Sequence, residues 1–172
     1  MRRPLSGDPT TSGRHILVHS DGSSDNPGPG GYAAVLRRMN GDTELKRKTV
    51  RGFETETTTN VRMEMMAAVV ALEAIKPGEP EPIVIYSDNN LLSKAMNEWV
   101  EGWIARGWRG ADRKPVSNQD LWERLLSAAD NKTVHWRWVR GHAGHPFNEE
   151  ADGLARRELA KARASALRNG RR

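Results

Sequence analysis

Ile83-Val84-Ile85-Tyr86-Ser87-Asp88 is the stretch on which the fold turns. Its apolar run does not alternate, and Pro82 and Asp88 bound it, which suits a short strand buried on both faces at the centre of a parallel sheet. Such a strand needs helices to cover it. Upstream, Arg62 to Lys76 sets Met63, Met66, Ala67, Val70 and Ala74 on one helical stripe, which Met65, Val69 and Leu72 widen, and Pro77-Gly78 ends the helix. Downstream, two shorter helices are expected over about Leu91 to Arg106, with Trp99 and Trp103 one turn apart. A basic loop, Gly107 to Pro115, then leads to a further helix from Asn118 to Ala129.

Further out, the period falls to two. His15 to Asp21 reads as a strand that runs into a turn-rich segment, Gly22 to Gly31, and Tyr32 to Arg38 as a second strand. Asn40-Gly41-Asp42 supplies hairpin chemistry before a third strand from Glu44 to Phe53, so these three form an antiparallel meander. Near the other end, Val134, Trp136 and Trp138 alternate with His135, Arg137 and Val139 in a last strand. Trp122, Trp136 and Trp138 read as core. A glycine-bracketed loop, Gly141 to Gly144, leads to Pro146 at the start of a final helix. The order βββαβ, helices, βα makes an α/β domain: a mixed sheet with helices on its faces.

At 172 residues the chain suits one domain. The formal charge is +5, but residues 156–172 alone carry +6, from seven Lys and Arg against Glu158, so the rest is nearly neutral. That tail is either a solvated, frayed helix end or an accessory phosphate-binding element. The absence of cysteine excludes disulfides and thiolate metal sites. Met1 to Gly13 is rich in Pro, Gly, Ser and Thr and has no signal-like apolar run, and no stretch reaches membrane-spanning length, so a soluble, cytoplasmic protein is expected.

Four acids carry the chemistry. Asp21 and Asp88 stand at the carboxyl ends of strands, the edge where open α/β sheets bind ligands, and neighbouring parallel strands would bring them together. Glu64, placed in the first turn of its helix among Met63, Met65 and Met66, is the third, and Asp152, early in the last helix, is the fourth. Carboxylates gathered closely repel one another unless a cation is present, and hard oxygen ligands without His or Cys favour Mg²⁺ or Mn²⁺. The chemistry that fits is phosphodiester cleavage with two ions about 3.5–4 Å apart, one activating water and the other stabilising the departing 3′ oxygen. Each acid also has a plainer reading: Asp21-Gly22 as turn chemistry, Asp88-Asn89-Asn90 as a helix N-cap, Glu64 as a favourable charge at a helix start, Asp152 as a solvated helix face.

The segments His19-Ser20-Asp21-Gly22-Ser23, Asn26-Pro27-Gly28-Pro29-Gly30-Gly31-Tyr32, Asn60-Val61-Arg62-Met63-Glu64-Met65-Met66-Ala67-Ala68, Tyr86-Ser87-Asp88 and Gly141-His142-Ala143-Gly144-His145 resemble bacterial type 1 ribonuclease H, in the same order, over about residues 15 to 157. The resemblance implies the ribonuclease H-like fold with a five-stranded sheet, antiparallel in strands one to three and then parallel in two. It divides the chain into a flexible extension, 1–14, a catalytic domain, 15–157, and a basic tail, 158–172, that continues the last helix.

The resemblance further implies an endonuclease that cuts the RNA strand of RNA–DNA hybrids with two Mg²⁺ ions, Mn²⁺ substituting, and leaves 5′-phosphate and 3′-hydroxyl ends. Asp21, Glu64, Asp88 and Asp152 become catalytic metal ligands, and His142 assists proton transfer or product release; its plainer reading is a surface loop histidine. Substrate contacts fall to Gly22, Ser23, Asn26, Thr59, Asn60 and Asn118, and to a protrusion where Trp99 and Trp103 stack on the DNA strand and Arg106, Arg109, Arg113 and Lys114 hold phosphates. Trp108 is a further stacking candidate. Trp99 and Trp103 at helical spacing suit a core equally well, and turns or caps would equally explain Thr59, Asn60 and Asn118.

The chain departs from the pattern in three places: the loop Ser23 to Asn26 is one residue short, Asn89-Asn90 stands where Ser-Gln or Ser-Lys is usual, and Val61 replaces a polar residue. A monomer with the hybrid as its partner is expected. The rivals are an integrase-like or junction-resolving nuclease of the same superfold and a non-catalytic hybrid-binding module.

Overall fold

The computed structural model describes residues 13–140 and 145–171. Its element order is β1 (Arg14–Ser24), β2 (Gly28–Asn40), β3 (Thr43–Thr58), α1 (Asn60–Glu73), β4 (Ile83–Ser87), α2 (Asn90–Lys94), a π-helical turn (Ala95–Trp99), α3 (Val100–Ala105), α4 (Gln119–Ala129), β5 (Val134–Trp138) and α5 (Pro146–Asn169). The five strands lie in the order β3-β2-β1-β4-β5, antiparallel from β3 to β1 and parallel from β1 through β4 to β5. This is the expected mixed sheet, with the apolar run Ile83 to Tyr86 between β1 and β5. Among the described residues, no helix is long and apolar enough to cross a membrane.

Alternation along β2 sorts its two faces. Ala34 and Leu36 join the larger core, with Met65, Val69 and Leu72 of α1, Leu121, Trp122 and Leu125 of α4, and Trp136 of β5. Ala33 and Val35 face the other way, onto Ala151, Leu154 and Ala155 of α5. The sheet is thus clamped between helices, and its β1–β4 centre is sealed from water.

The strands run past the expected ends. The glycine-rich stretch 22–31 is mostly strand: β1 continues to Ser24, with Gly22 opposite Tyr32, Ser23 opposite Gly31 and Ser24 opposite Gly30, and only Asp25 to Pro27 turns the chain. The glycines serve close packing. A Cβ on Gly22 would lie 2.3 Å from the Glu64 backbone nitrogen, and one on Gly31 would lie 2.4 Å from the Ala155 carbonyl oxygen. Only glycine lets α1 and α5 approach the strands so closely. Arg14, assigned to the N-terminal extension, opens β1 and pairs with Glu81 at 2.7 Å; residues 1–12 lie outside the described residues.

Two further expectations need correction, and a third, the pair of short helices after β4, is refined. α1 begins at Asn60, capped by Thr59, whose hydroxyl accepts from the Arg62 N–H at 3.3 Å, so Glu64 lies past the first turn. The helical stretch after β4 is interrupted by the π-helical turn, which keeps both Met96 and Val100 buried while leaving Trp99 outside. Trp122 and Trp136 are core, but Trp138 is 41% exposed, because β5 ends there at the sheet's open edge.

α5 is one continuous helix to Asn169, and Leu159 and Ala162 are buried beyond residue 157. The basic end is therefore packed along one side.

Candidate active site

β1 and β4 pair in parallel with His19 opposite Tyr86, so Asp21 and Asp88 stand at matching positions past the last paired residues. Gly22 then admits the first turns of α1, which deliver Glu64 to the same spot. Carboxylate oxygens of Asp21, Glu64 and Asp88 lie within 4.8 Å of one another. Asp152 on α5 adds a hydrogen bond to the Asp21 carboxyl and is itself held by Arg156 at 3.2 Å. Four acids from two strands and two helices thus meet at the carboxyl edge of the sheet.

The cost of that meeting is visible in their protonation. Asp21 is only 5% exposed; burial first, then the charge of Asp88, with Asp152 adding to it, pushes its pKa up to about 8, against the Gly22 N–H, which donates to Oδ1 at 2.9 Å. Glu64 rises to about 7, again by burial and by Asp88, eased by a hydrogen bond from Asn89. A cluster of oxygens that resists ionising on its own is one that a hard divalent cation would relieve, so the donor set fits such an ion. No histidine or cysteine joins the described cluster, which disfavours zinc.

The plainer readings of two acids do not hold. Asp21 sits inside β1, opposite Ala33, and not in a turn. Asn89, not Asp88, caps α2, its side chain accepting from the Leu91 N–H at 2.9 Å.

The RNase H family model matches residues 13–160. The chain belongs to the RNase H family. It is 49% identical to the ribonuclease H of Paracoccus denitrificans (strain Pd 1222) over 146 residues, 84% of this chain and 92% of that protein. It is also 49% identical to the ribonuclease H of Maricaulis maris (strain MCS10) over 149 residues, 86% and 95% of the two chains. Among solved structures, LC9-RNase H1, a type 1 RNase H with the type 2 active-site motif, superposes with a TM-score of 0.76 at 30% identity, covering 87% of this chain and 74% of that one. LC11-RNase H1, solved in complex with an RNA/DNA hybrid, shares the fold with a TM-score of 0.60 at 17% identity, over 86% of this chain and 98% of that one.

Within this RNase H the remaining candidate residues fall into four groups. His142 lies outside the described residues. Gly22, Ser23, Asn26, Thr59 and Asn60 gather where the β1–β2 loop meets the start of α1: the Asn60 side chain accepts from the Ser24 N–H and hydroxyl, both at 2.9 Å, and its own N–H donates to Asn26 at 3.3 Å. Asn118 precedes α4 in the left-handed region, at φ 62°, and makes no capping bond; its side-chain oxygen accepts from Arg62 at 3.2 Å instead.

The protrusion divides. Trp103 packs on Trp122, ring centroids 5.5 Å apart, and Trp108 also lies against the core, so each ring is partly buried. Trp99 is 38% exposed, 6.1 Å from Trp103. Arg106, Arg109, Arg113 and Lys114 are all exposed on the loop that follows α3.

Residues the sequence did not single out also shape the site. Asn89 supports Glu64 as well as capping α2. The Trp138 indole N–H donates to the Asp88 carbonyl at 3.0 Å, tying β5 to the metal-ligand candidate just past β4. A tryptophan at the end of a strand neighbouring Asp88 was the available signal, but alternation alone assigned it to the core.

Proposed function

We propose that this RNase H hydrolyses the RNA strand of RNA–DNA hybrids, with Asp21, Glu64, Asp88 and Asp152 holding divalent ions, Mg²⁺ foremost and Mn²⁺ as a substitute. The observation that carries the reading is the convergence of three buried or half-buried carboxylates within 4.8 Å, with Asp152 bonded to one of them. Bound ions would supply an activated water and neutralise the phosphate and departing 3′ oxygen, leaving 5′-phosphate and 3′-hydroxyl ends. The chain's own part is positioning. The β1–β4 register fixes Asp21 and Asp88, the close approach at Gly22 fixes Glu64, and the approach of α5 to Gly31 sets Asp152. His142 is proposed to assist proton transfer or product release.

The hybrid is proposed to lie across that edge. Gly22, Ser23 and Asn26, with Thr59, Asn60 and Asn118, meet its backbones, and RNA is told from DNA by its 2′-hydroxyls, which a shallow minor groove displays. Trp99 offers a stacking face, and Arg106, Arg109, Arg113 and Lys114 offer charge to phosphates; Trp103 supports Trp99 from below. Because all four acids come from one chain, the working form is proposed to be a monomer, and its proposed location is the cytoplasm.

One assay tests this. Uniform RNA–DNA hybrid, RNA duplex, DNA duplex and a branched DNA are offered with Mg²⁺ or Mn²⁺ to the wild type and to Asp21→Asn. Only the hybrid should be cut, and only by the wild type. Cleavage by Asp21→Asn at the wild-type rate, or cutting of branched DNA in preference to hybrid, would overturn the reading.

A further inference from the structure

Only Asp25, Asn26 and Pro27 separate β1 from β2, and this short loop is gripped from two sides. On one side Asn60 accepts from Ser24, and the Ser24 hydroxyl accepts from the Asn26 N–H at 3.1 Å. On the other side the grip comes from the start of β2 and from a residue far along the chain. The Asp25 N–H donates to the Pro29 carbonyl at 3.1 Å, and the Asp25 Cβ sits 2.7 Å from where a Cβ on Gly28 would be. Its carboxylate meets Arg163 of α5: Nε donates to the two carboxylate oxygens at 3.0 and 3.1 Å, and Nη2 donates to Oδ1 as well. The Asp25 carboxyl is held below its ordinary range by that guanidinium. Arg163 itself stands on firm backbone, since Leu159 and Ala162 beside it are buried under the sheet side of α5.

We propose that Arg163, which lies beyond the stretch matched by the family model, is a positioning residue that clamps Asp25 and so holds the Ser23–Asn26 backbone in the shape that receives the hybrid. This rests on the functional reading above, in which that loop touches the substrate. The clamp suits the shortness of the loop: an arginine fork gripping a carboxylate through two donors restricts both ends of the pair. Ordering a few loop residues before the substrate arrives removes an entropic cost from binding. An exposed ion pair adds little to global stability, so its effect belongs in substrate affinity and not in Tm.

The alternative role for a basic residue at this end of the chain is a direct grip on a phosphate, and the two roles give opposite signs at Asp25. If Arg163 grips phosphate, Asp25 competes for it, and Asp25→Asn lowers KM. If Arg163 clamps the loop, Asp25→Asn raises KM. The test is steady-state hydrolysis of a uniform hybrid by the full chain at fixed salt. Arg163→Ala and Asp25→Asn should each raise KM roughly two- to five-fold, with kcat changed by less than about two-fold. The double variant should be no worse than either single one, because both remove the same interaction. The swapped pair, Asp25→Arg with Arg163→Asp, should recover most of the loss seen in Asp25→Arg alone. Amide hydrogen exchange over residues 24–28 reads the clamp without substrate, and faster exchange is expected in Arg163→Ala. A lower KM in Asp25→Asn, additive losses in the double variant, or unchanged exchange in Arg163→Ala would each overturn the proposal. A wild type that cuts no hybrid would overturn the functional reading instead, while the exchange result still reports on the clamp.

Discussion

The carboxyl edge of the sheet gathers acids and the arm over residues 99–115 carries an excess of basic side chains, yet they satisfy that charge in opposite ways. In the arm the guanidinium groups stay in water and brace the loop through its own backbone: Arg106 donates to the Arg109 carbonyl at 3.0 Å, and Arg109 to the Arg113 carbonyl at 2.9 Å. Solvated like charges repel weakly and are screened by salt. At the sheet edge the acids are withdrawn from water, and Asp21 and Glu64 are driven toward their neutral forms. Charge left in that condition has meaning only with an external cation, whereas charge on the arm acts at a distance and in proportion to its number. The edge should therefore fail completely when one residue changes, and the arm only by degrees.

The sharpest way to break the contrast is Asp88→Asn. It keeps the shape of the edge but weakens binding of ions that would supply several kcal/mol of transition-state stabilisation, so kcat should fall by about 10²- to 10³-fold or more. Within the arm, Trp103 and Trp99 separate support from substrate binding. Trp103→Ala should cost somewhat less than the roughly 3–5 kcal/mol of a fully buried tryptophan, read by chemical denaturation, because the ring is partly buried on Trp122. Trp99→Ala should leave stability within about 0.5 kcal/mol while raising KM.

Protonation offers a subtler test. In metal-free protein Asp21 and Glu64 hold their protons to higher pH than in the unfolded chain, so their contribution is present in acid and is lost as pH rises from about 4 through about 8. Asp21→Asn should flatten that decline and raise Tm at pH 8 by about 2–4 °C for each kcal/mol of repulsion removed, even as activity disappears. The smallest effect belongs to the arm. Replacing Arg113 and Lys114 by alanine should weaken hybrid binding modestly and reduce the slope of log affinity against log salt by about 0.7–0.9 for each phosphate that is no longer neutralised. An unchanged slope would remove these residues from the interface.

Much of the fold was legible because periodicity is a local signal. The unalternating run Ile83 to Tyr86 marked a buried parallel strand, and the stripe from Met63 to Ala74 marked a helix that packs on the sheet, chiefly over β1 and β2. The acids were legible from their positions after strands. What sequence could not reveal was which partner a residue would meet. Gly22 and Gly31 looked like turn residues because glycine favours turns, but here each answers to a helix crossing a strand, and that crossing is a tertiary fact. Trp103 was left between two readings and Trp138 was misjudged for the same reason: helical spacing and strand alternation give a residue's face but not what covers that face. Trp103 looks onto Trp122, while Trp138 stands at the uncovered end of β5, beside Asp88. Arg163 belonged to a basic tail on composition, and only the folding of α5 across the sheet brings it to Asp25.

Calorimetric titration of the protein with Mn²⁺ at pH 6, 7 and 8 asks whether the acidic edge is built to take divalent ions. Binding should release protons, since Asp21 and Glu64 carry them near neutrality, and affinity should rise by about tenfold per pH unit for each proton released. Asp21→Asn should bind more weakly and release fewer protons. Binding that is as tight in Asp21→Asn as in the wild type and indifferent to pH, or no binding at millimolar Mn²⁺, would contradict that role.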